Sequence, residues 1–150
     1  MQIRQMNDDD LDDLIAMGWD MHQESWYRNL NFDPPKLRLL YESIKAYPAR
    51  FCAFVAEEGD NKVGMFVGAI AEFYFGTDKL ASDLLLFVAK EHRGSTAAPR
   101  LIKAYLAWAK ENDARSINLG ISTSINVDRT ARLYEKLGFK LDGHLFRMRN

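Results

Sequence analysis

Residues 83–139 constrain this chain more tightly than any other stretch. They read as an apolar strand at 83–89, a basic loop, an amphipathic helix at 97–111, a second strand at 115–121 and a short helix from about residue 128. A strand that feeds a helix through a tight loop leaves the first N–H groups of the helix unpaired. It also turns the positive end of the helix dipole outward, a natural seat for phosphate oxygens. The loop itself is His92-Arg93-Gly94-Ser95-Thr96, and Lys90, His92, Arg93, Arg100 and Lys103 flank it with only Glu91 against them. Tyr134 lies on the final helix, which returns toward the end of the same strand. The physical suggestion is a ligand with a diphosphate at the loop and a phenol near its far end.

The rest of the chain supplies a sheet for this unit. Residues 2–6 alternate as a strand, and Asn7 can cap a helix running to about residue 27 with Leu11, Leu14, Ile15, Trp19 and His22 on one face. Asp33-Pro34-Pro35 starts a second helix that carries Leu37, Leu40, Tyr41 and Ile44 until Pro48 stops it. Strands at 51–57 and 63–75 join through Gly59-Asp60-Asn61, a loop covers 76–82, and a last hairpin is expected at 139–141 and 145–148 around Asp142-Gly143. This order implies an α/β (α+β) fold, a mixed sheet covered by helices.

At 150 residues one domain, 1–150, is expected, burying roughly 70% of its unfolded surface. A net charge of −1 supplies no overall basic footprint for nucleic acid. The run Asp8, Asp9, Asp10, Asp12 and Asp13 is read as a solvated helix start, where carboxylates favour the dipole. No apolar stretch approaches a membrane span, the first residues lack a signal-peptide core, and a single cysteine fits a reducing cytoplasm.

Two motifs carry a resemblance. The loop reads Arg93-Gly94-Ser95-Thr96-Ala97-Ala98, and the final helix reads Asp128-Arg129-Thr130-Ala131-Arg132-Leu133-Tyr134-Glu135-Lys136-Leu137-Gly138-Phe139. In this the chain resembles the GCN5-related N-acetyltransferases, the GNAT superfamily, over essentially its whole length. It is more weakly similar to compact members encoded in phage genomes, at Met21-His22-Gln23-Glu24-Ser25 and at the loop. The family loop is Arg/Gln-x-x-Gly-x-Gly/Ala, so Arg93 and Ala98 match while Thr96 stands where the first glycine is usual. A Cβ there limits close approach and positive φ, so Thr96 must sit at negative φ for the cradle to survive. The family helix often begins with Asn, which Asp128 replaces, and Asn126 lies two residues earlier.

The resemblance implies a mostly antiparallel sheet of about seven strands flanked by four helices and splayed at the fourth and fifth strands. It implies acetyl-CoA as cosubstrate, held by Phe87, Val88, Arg93, Gly94, Ser95, Thr96, Ala97, Ala98, Asn126 and Tyr134. In the implied direct transfer, an amine attacks the thioester, a backbone N–H near Phe87 or Val88 polarises the carbonyl, and Tyr134 protonates or hydrogen-bonds the leaving sulfur. An isolated tyrosine at this spacing would be read as packing beside Leu137; the signature around it reverses that.

No general base is named. Many relatives carry Glu where this chain has Leu84, leaving Asp83, Glu72, His22, Glu24 or a water chain. A lysine-type amine costs about 4 kcal/mol to deprotonate at neutral pH, an α-amine about 1 or less. Leu84 therefore tilts toward a low-pKa acceptor or a relayed proton. The acceptor pocket implied by the resemblance is built by the first two helices, here with Trp19, His22, Trp26, Tyr27, Asn29, Asn31 and Phe32.

Other chemistries lack their signatures. There is no His-Glu-x-x-His, Cys-x-x-Cys, Gly-x-Ser-x-Gly or Walker loop, no metal is expected, and Cys52 sits mid-strand as a core residue. The expected partners are acetyl-CoA and an unidentified amine, small molecule or protein, with no nucleic acid and no membrane, a homodimer remaining open. Two alternatives stand beside the enzyme: a non-catalytic acyl-CoA-binding module, motivated by Thr96, Leu84 and Asp128, and a protein-interaction module using the aromatic first-helix surface.

Overall fold

The structure, a computed structural model, describes residues 1–150. Strand β1 (Gln2–Gln5) leads into a 3-10 turn at Asp8–Asp10, where Asn7 accepts from the Asp9 N–H at 3.0 Å and donates its own N–H to Asp10 at 2.8 Å. This reciprocal cap satisfies donors that a bare helix start would leave open. Asp10, 1% exposed, is held by Arg4 at 2.6 and 2.7 Å, and Arg4 also bonds Glu57. The pairing holds the Asp10 carboxyl below its ordinary range.

Helix α1 (Leu11–Glu24) stops a turn short of expectation. Ser25 is extended, and its hydroxyl accepts from the Tyr27 N–H at 3.2 Å to open a new 3-10 turn, Trp26–Asn29. Asp33 then caps α2 (Pro34–Ala46) with Pro34 at its first position. Strands β2 (Phe51–Glu58), β3 (Asn61–Glu72) and β4 (Lys79–Val88), helix α3 (Ala97–Glu111), strand β5 (Ala114–Asn118) and helix α4 (Val127–Lys136) complete the chain. Gly138 follows α4 at φ +95°, the left-handed position expected of it.

The sheet has five strands in the order β1-β2-β3-β4-β5, antiparallel throughout except for the parallel pair β4 and β5. The expected seven strands are thus corrected to five, because residues 139–150 form no hairpin. Leu141, Leu145, Phe146 and Met148 are 64–93% exposed, and side chains tether the segment instead. Arg147 donates to the Ser122 carbonyl at 2.8 Å and lies 4.0 Å from the Trp26 ring centroid. Alternation of apolar residues signals a two-faced segment, but a strand also needs a ladder beside it. β5 ends at Asn118, and 119–126 has irregular backbone that offers none.

A second correction concerns β4, which begins at Lys79 inside the stretch expected as loop. Residues 79–82 pair on both sides, with β3 and with Ala114–Asn118, and Ala81 is fully buried. Further along, Val67 faces Leu85 but Gly68 faces Asp83, so Leu84 has no partner and forms a β-bulge. The last β4–β5 partners are Ser82 and Asn118. Bulge and strand separation therefore coincide, and a wedge opens between β4 and the chain after β5.

The sheet is covered on both faces. On one, Phe66 packs on Tyr105 of α3 with ring centroids 4.5 Å apart, alongside Leu101, Trp108 and Ala81. Gly68 permits this close approach, since a Cβ would lie 3.0 Å from the Tyr105 ring and 3.1 Å from Cys52 Sγ. On the other face Leu14 and Met17 of α1 pack on Val55, Met65 and Phe87.

Candidate active site

The start of α3 is built for an anion. Gly94 takes φ +87°, Thr96 takes φ −81°, and so the threonine occupies its position without the strain a positive φ would impose. The Ser95 N–H donates to the His92 carbonyl at 3.3 Å, and the Ala97 N–H donates to Ser95 Oγ at 3.2 Å. The N–H groups of Thr96 and Ala98 donate to no protein acceptor. Pro99 has no N–H to satisfy.

Arg93 does not point at this cradle. Its Nε donates to the Val88 carbonyl at 3.0 Å, and its two terminal nitrogens each bond a Glu24 carboxylate oxygen at 2.5 Å. The bidentate pair ties the last turn of α1 to the loop and holds the Glu24 carboxyl below its ordinary range. The unpaired cations of the cleft wall belong to α4. Arg129, Arg132 and Lys136 fall at i, i+3 and i+7, one side of a helix, and make no ion pair. Arg129 reaches the loop closely enough that a Cβ at Gly94 would lie 2.8 Å from its Nη2.

Between loop and α4 lies a cleft of ≈ 510 Å³ with no carboxylate in its wall. Of the residues expected to hold the cofactor, Phe87, Val88, Arg93, Gly94, Ser95, Ala98 and Asn126 line it. Thr96 and Ala97 do not, Ala97 being fully buried behind the loop, and Tyr134 lies deeper. Asn126 precedes α4 in the left-handed region (φ +44°), which asparagine tolerates, and its side chain makes no capping bond. Sequence reasoning missed Arg129, Arg132 and Lys136, although their spacing within the Tyr134 motif was the available signal.

The inner end of the cleft meets the wedge between β4 and β5. Here Tyr134, 8% exposed, donates its hydroxyl to the Gly120 carbonyl at 3.2 Å, while Asp83 Oδ1 accepts the Gly120 N–H at 2.9 Å. Asp83, Leu84, Gly120 and Tyr134 surround a neck of ≈ 50 Å³, with Met21 and Tyr27 lining its other side. Leu86 and Thr123 belong to both neck and cleft. Burial, with the nearby Asp83, pushes the Tyr134 phenol up; burial also pushes the Asp83 carboxyl up, against the Gly120 N–H.

Strand geometry selects the amides that face the wedge. The Ala89 N–H donates to Val63 of β3 at 2.9 Å. Successive residues alternate sides along the ladder, so the Val88 and Leu86 amides face the open edge and the Phe87 amide faces β3. The Val88 carbonyl, bonded by Arg93, points the same way.

Of the proton-acceptor candidates, Glu24 is committed to Arg93. His22 has both ring nitrogens occupied, Nε2 by the Leu30 carbonyl at 2.8 Å and Nδ1 by Gln23 at 3.0 Å. Glu72 stands opposite Lys79 in the β3–β4 ladder, at the other end of β4 from the neck. Only Asp83 lines the neck.

Comparison with known proteins gives a consistent picture. Residues 15–139 match the model of the acetyltransferase (GNAT) family. No curated protein sequence matches the chain. Among solved structures, the fold is similar to a transcriptional regulator from Bacillus halodurans C-125, at 22% identity and TM-score 0.78, with 99% of each chain covered. It is also similar to AAC(6')-Iy in complex with the bisubstrate analog CoA-S-monomethyl-acetylneamine, at 20% identity and TM-score 0.78, covering 99% of this chain and 97% of that one. A glucosamine-6-phosphate N-acetyltransferase from Arabidopsis thaliana gives 16% identity and TM-score 0.78, again covering 99% and 97%.

Proposed function

Because the chain belongs to the acetyltransferase (GNAT) family, we propose that it transfers the acetyl group of acetyl-CoA directly to a primary amine held beside Tyr134. The supporting observation is a continuous path. A carboxylate-free cleft with unpaired cations and a free helix-start amide narrows, within the β4–β5 wedge, to the Tyr134 hydroxyl. The chemistry of the path fits the donor: phosphates at the cationic end, a thioester at the narrow end. When bound, acetyl-CoA supplies an activated acyl carbon and a thiolate leaving group.

The chain's own residues do the rest. Ala98 offers an N–H donor to phosphate oxygens, and Arg129, Arg132 and Lys136 offset their charge. Arg93 holds the loop to α1 through Glu24 and so shapes the cradle from behind. The Val88 and Leu86 amides face the position where charge develops on the carbonyl oxygen. Tyr134 presents a neutral hydroxyl to the departing sulfur. A reducing cytoplasm is part of this reading. Cys52 is compatible with it as a buried thiol whose pKa burial pushes up to about 12, which also removes it as a nucleophile.

A non-catalytic acyl-CoA-binding module would need the cleft but not the neck, so the placement of the Tyr134 hydroxyl favours turnover. Saturating acetyl-CoA, at about 100 times its dissociation constant, adds about 2.7 kcal/mol. For a chain of this size the melting temperature should rise by about 5–10 °C. Thiol release from acetyl-CoA in the presence of mixed amines should follow. An unchanged melting temperature would remove both the enzyme and the binding module. A shift with no thiol release from any amine would leave the module alone.

A further inference from the structure

A second space lies on the other side of the neck. Between α1, α2 and the sheet is a cavity of ≈ 320 Å³ that shares Met21, Tyr27 and Leu85 with the neck. Apart from Gly18, His22 and Asn31, every residue of its wall is apolar, and it contains no carboxylate and no cation. His22 is spoken for by the Leu30 carbonyl. An apolar hollow of about 150 Å³ is already enough to bind benzene, so this one exceeds a packing defect. Helix α2 shows the consequence. Tyr41 is its only buried residue, while Leu37, Leu40 and Ile44, on its inner face, look into the hollow.

The charge pattern narrows what could sit there. Along the whole path from hollow to neck the one carboxylate is Asp83, at the Tyr134 end. Asp8, Asp9, Asp12 and Asp13 lie at the far end of α1, and Glu24 is paired. A polycation would leave all but one of its charges desolvated against hydrocarbon without a partner. A ligand with an apolar body and a single ammonium matches both ends.

We propose that the acceptor is a small apolar primary monoamine, an arylalkyl- or alkylamine, whose body fills the α1–α2 cavity and whose nitrogen reaches Asp83 through the Met21–Tyr27–Leu85 opening. This rests on the acetyl-transfer reading above and adds the substrate class. The step balances. The ammonium yields one proton to Asp83 and thence to solvent. As the N–C bond forms and the C–S bond breaks, the nitrogen sheds a second proton, which ends on the leaving sulfur.

Gly18 provides the test. It lies inside the cavity wall, where an added Cβ meets only ordinary contacts at 3.9 Å, and larger side chains project into the hollow. With the full chain, 2-phenylethylamine should be acetylated with kcat/KM about tenfold or more above spermidine and kanamycin. Gly18→Leu should raise the KM for 2-phenylethylamine about tenfold or more, with acetyl-CoA affinity within about twofold of wild type. Leu37→Trp, which fills the cavity from α2, should do the same and serves if Gly18→Leu does not fold. Preference for spermidine or kanamycin, acetylation confined to peptides, or an unchanged KM in a folded cavity-filled variant would overturn the inference. Each of those outcomes leaves acetyl transfer standing, whereas loss of acetyl-CoA binding in the wild-type chain would remove both.

Discussion

Replacing Tyr134 by Phe is expected to lower kcat by about 10²-fold while leaving the KM for acetyl-CoA within about twofold. Of the hydroxyls at the neck, Tyr27 is spent on Ser122 at 2.7 Å, whereas Tyr134 is poised by one bond, to the Gly120 carbonyl at 3.2 Å. That bond is long enough to be redirected. Losing it should cost about 1 kcal/mol of stability, too little to account for the kinetic effect. The direction of the phenol's shift bears on the role proposed for it. Burial and Asp83 hold the proton more tightly than in free tyrosine, making full transfer to a thiolate of conjugate-acid pKa about 8.5 more uphill still. In the proposed transfer Tyr134 therefore serves as a hydrogen-bond donor to the developing negative charge. The sign for pH follows. A phenol whose pKa is raised stays protonated through the ordinary tyrosine range, so the wild-type kcat profile should show no falling limb from this group below about pH 10. Wild-type turnover in Tyr134→Phe would return Tyr134 to a packing role.

The second large effect is on cofactor affinity. Arg129→Ala combined with Arg132→Ala should weaken acetyl-CoA binding by about 10²-fold or more, each charge-assisted bond being worth about 1.5–3 kcal/mol. The remaining affinity should depend less on salt than the wild-type value. Arg93→Ala should weaken binding less, because its guanidinium is already engaged by Glu24 and the Val88 carbonyl. Its effect passes through the position of the loop, and Glu24→Gln should reproduce part of it. Isothermal titration of acetyl-CoA into the three variants separates these roles. A larger loss from Arg93→Ala than from the α4 pair would put Arg93 back in direct contact with phosphate.

The loop, the following helix and the Tyr134 motif were legible in the sequence because their signals are local. A strand that ends in a glycine-containing basic loop, and a helix closed by Gly138, require no tertiary information. The strand count failed for the opposite reason. Residues 139–150 alternate like a hairpin, yet pairing depends on whether the chain after β5 presents a ladder, and it does not. The start of β4 was hidden likewise, since Lys79 and Ser82 are not strand-like, and pairing on both sides places them in the sheet.

The bulge at Leu84 is the subtler case. Strict alternation put residues 83 and 84 on opposite faces in a continuous strand. The extra residue breaks that alternation where the strands part, leaving the Asp83 carboxylate in the neck with Tyr134. The pairing of Arg93 was not legible because its partner, Glu24, lies 69 residues away. Composition marks a basic loop but not which of its charges are already paired, and three cations on a single side of α4 became meaningful only once that helix faced the loop.

The most direct measurement is a crystal structure of the chain with acetyl-CoA. The expected result has phosphate oxygens on the Ala98 amide and the α4 cations, and the thioester sulfur within hydrogen-bonding reach of Tyr134 Oη. A cofactor lying outside the β4–β5 wedge, or a sulfur turned away from that hydroxyl, would contradict it.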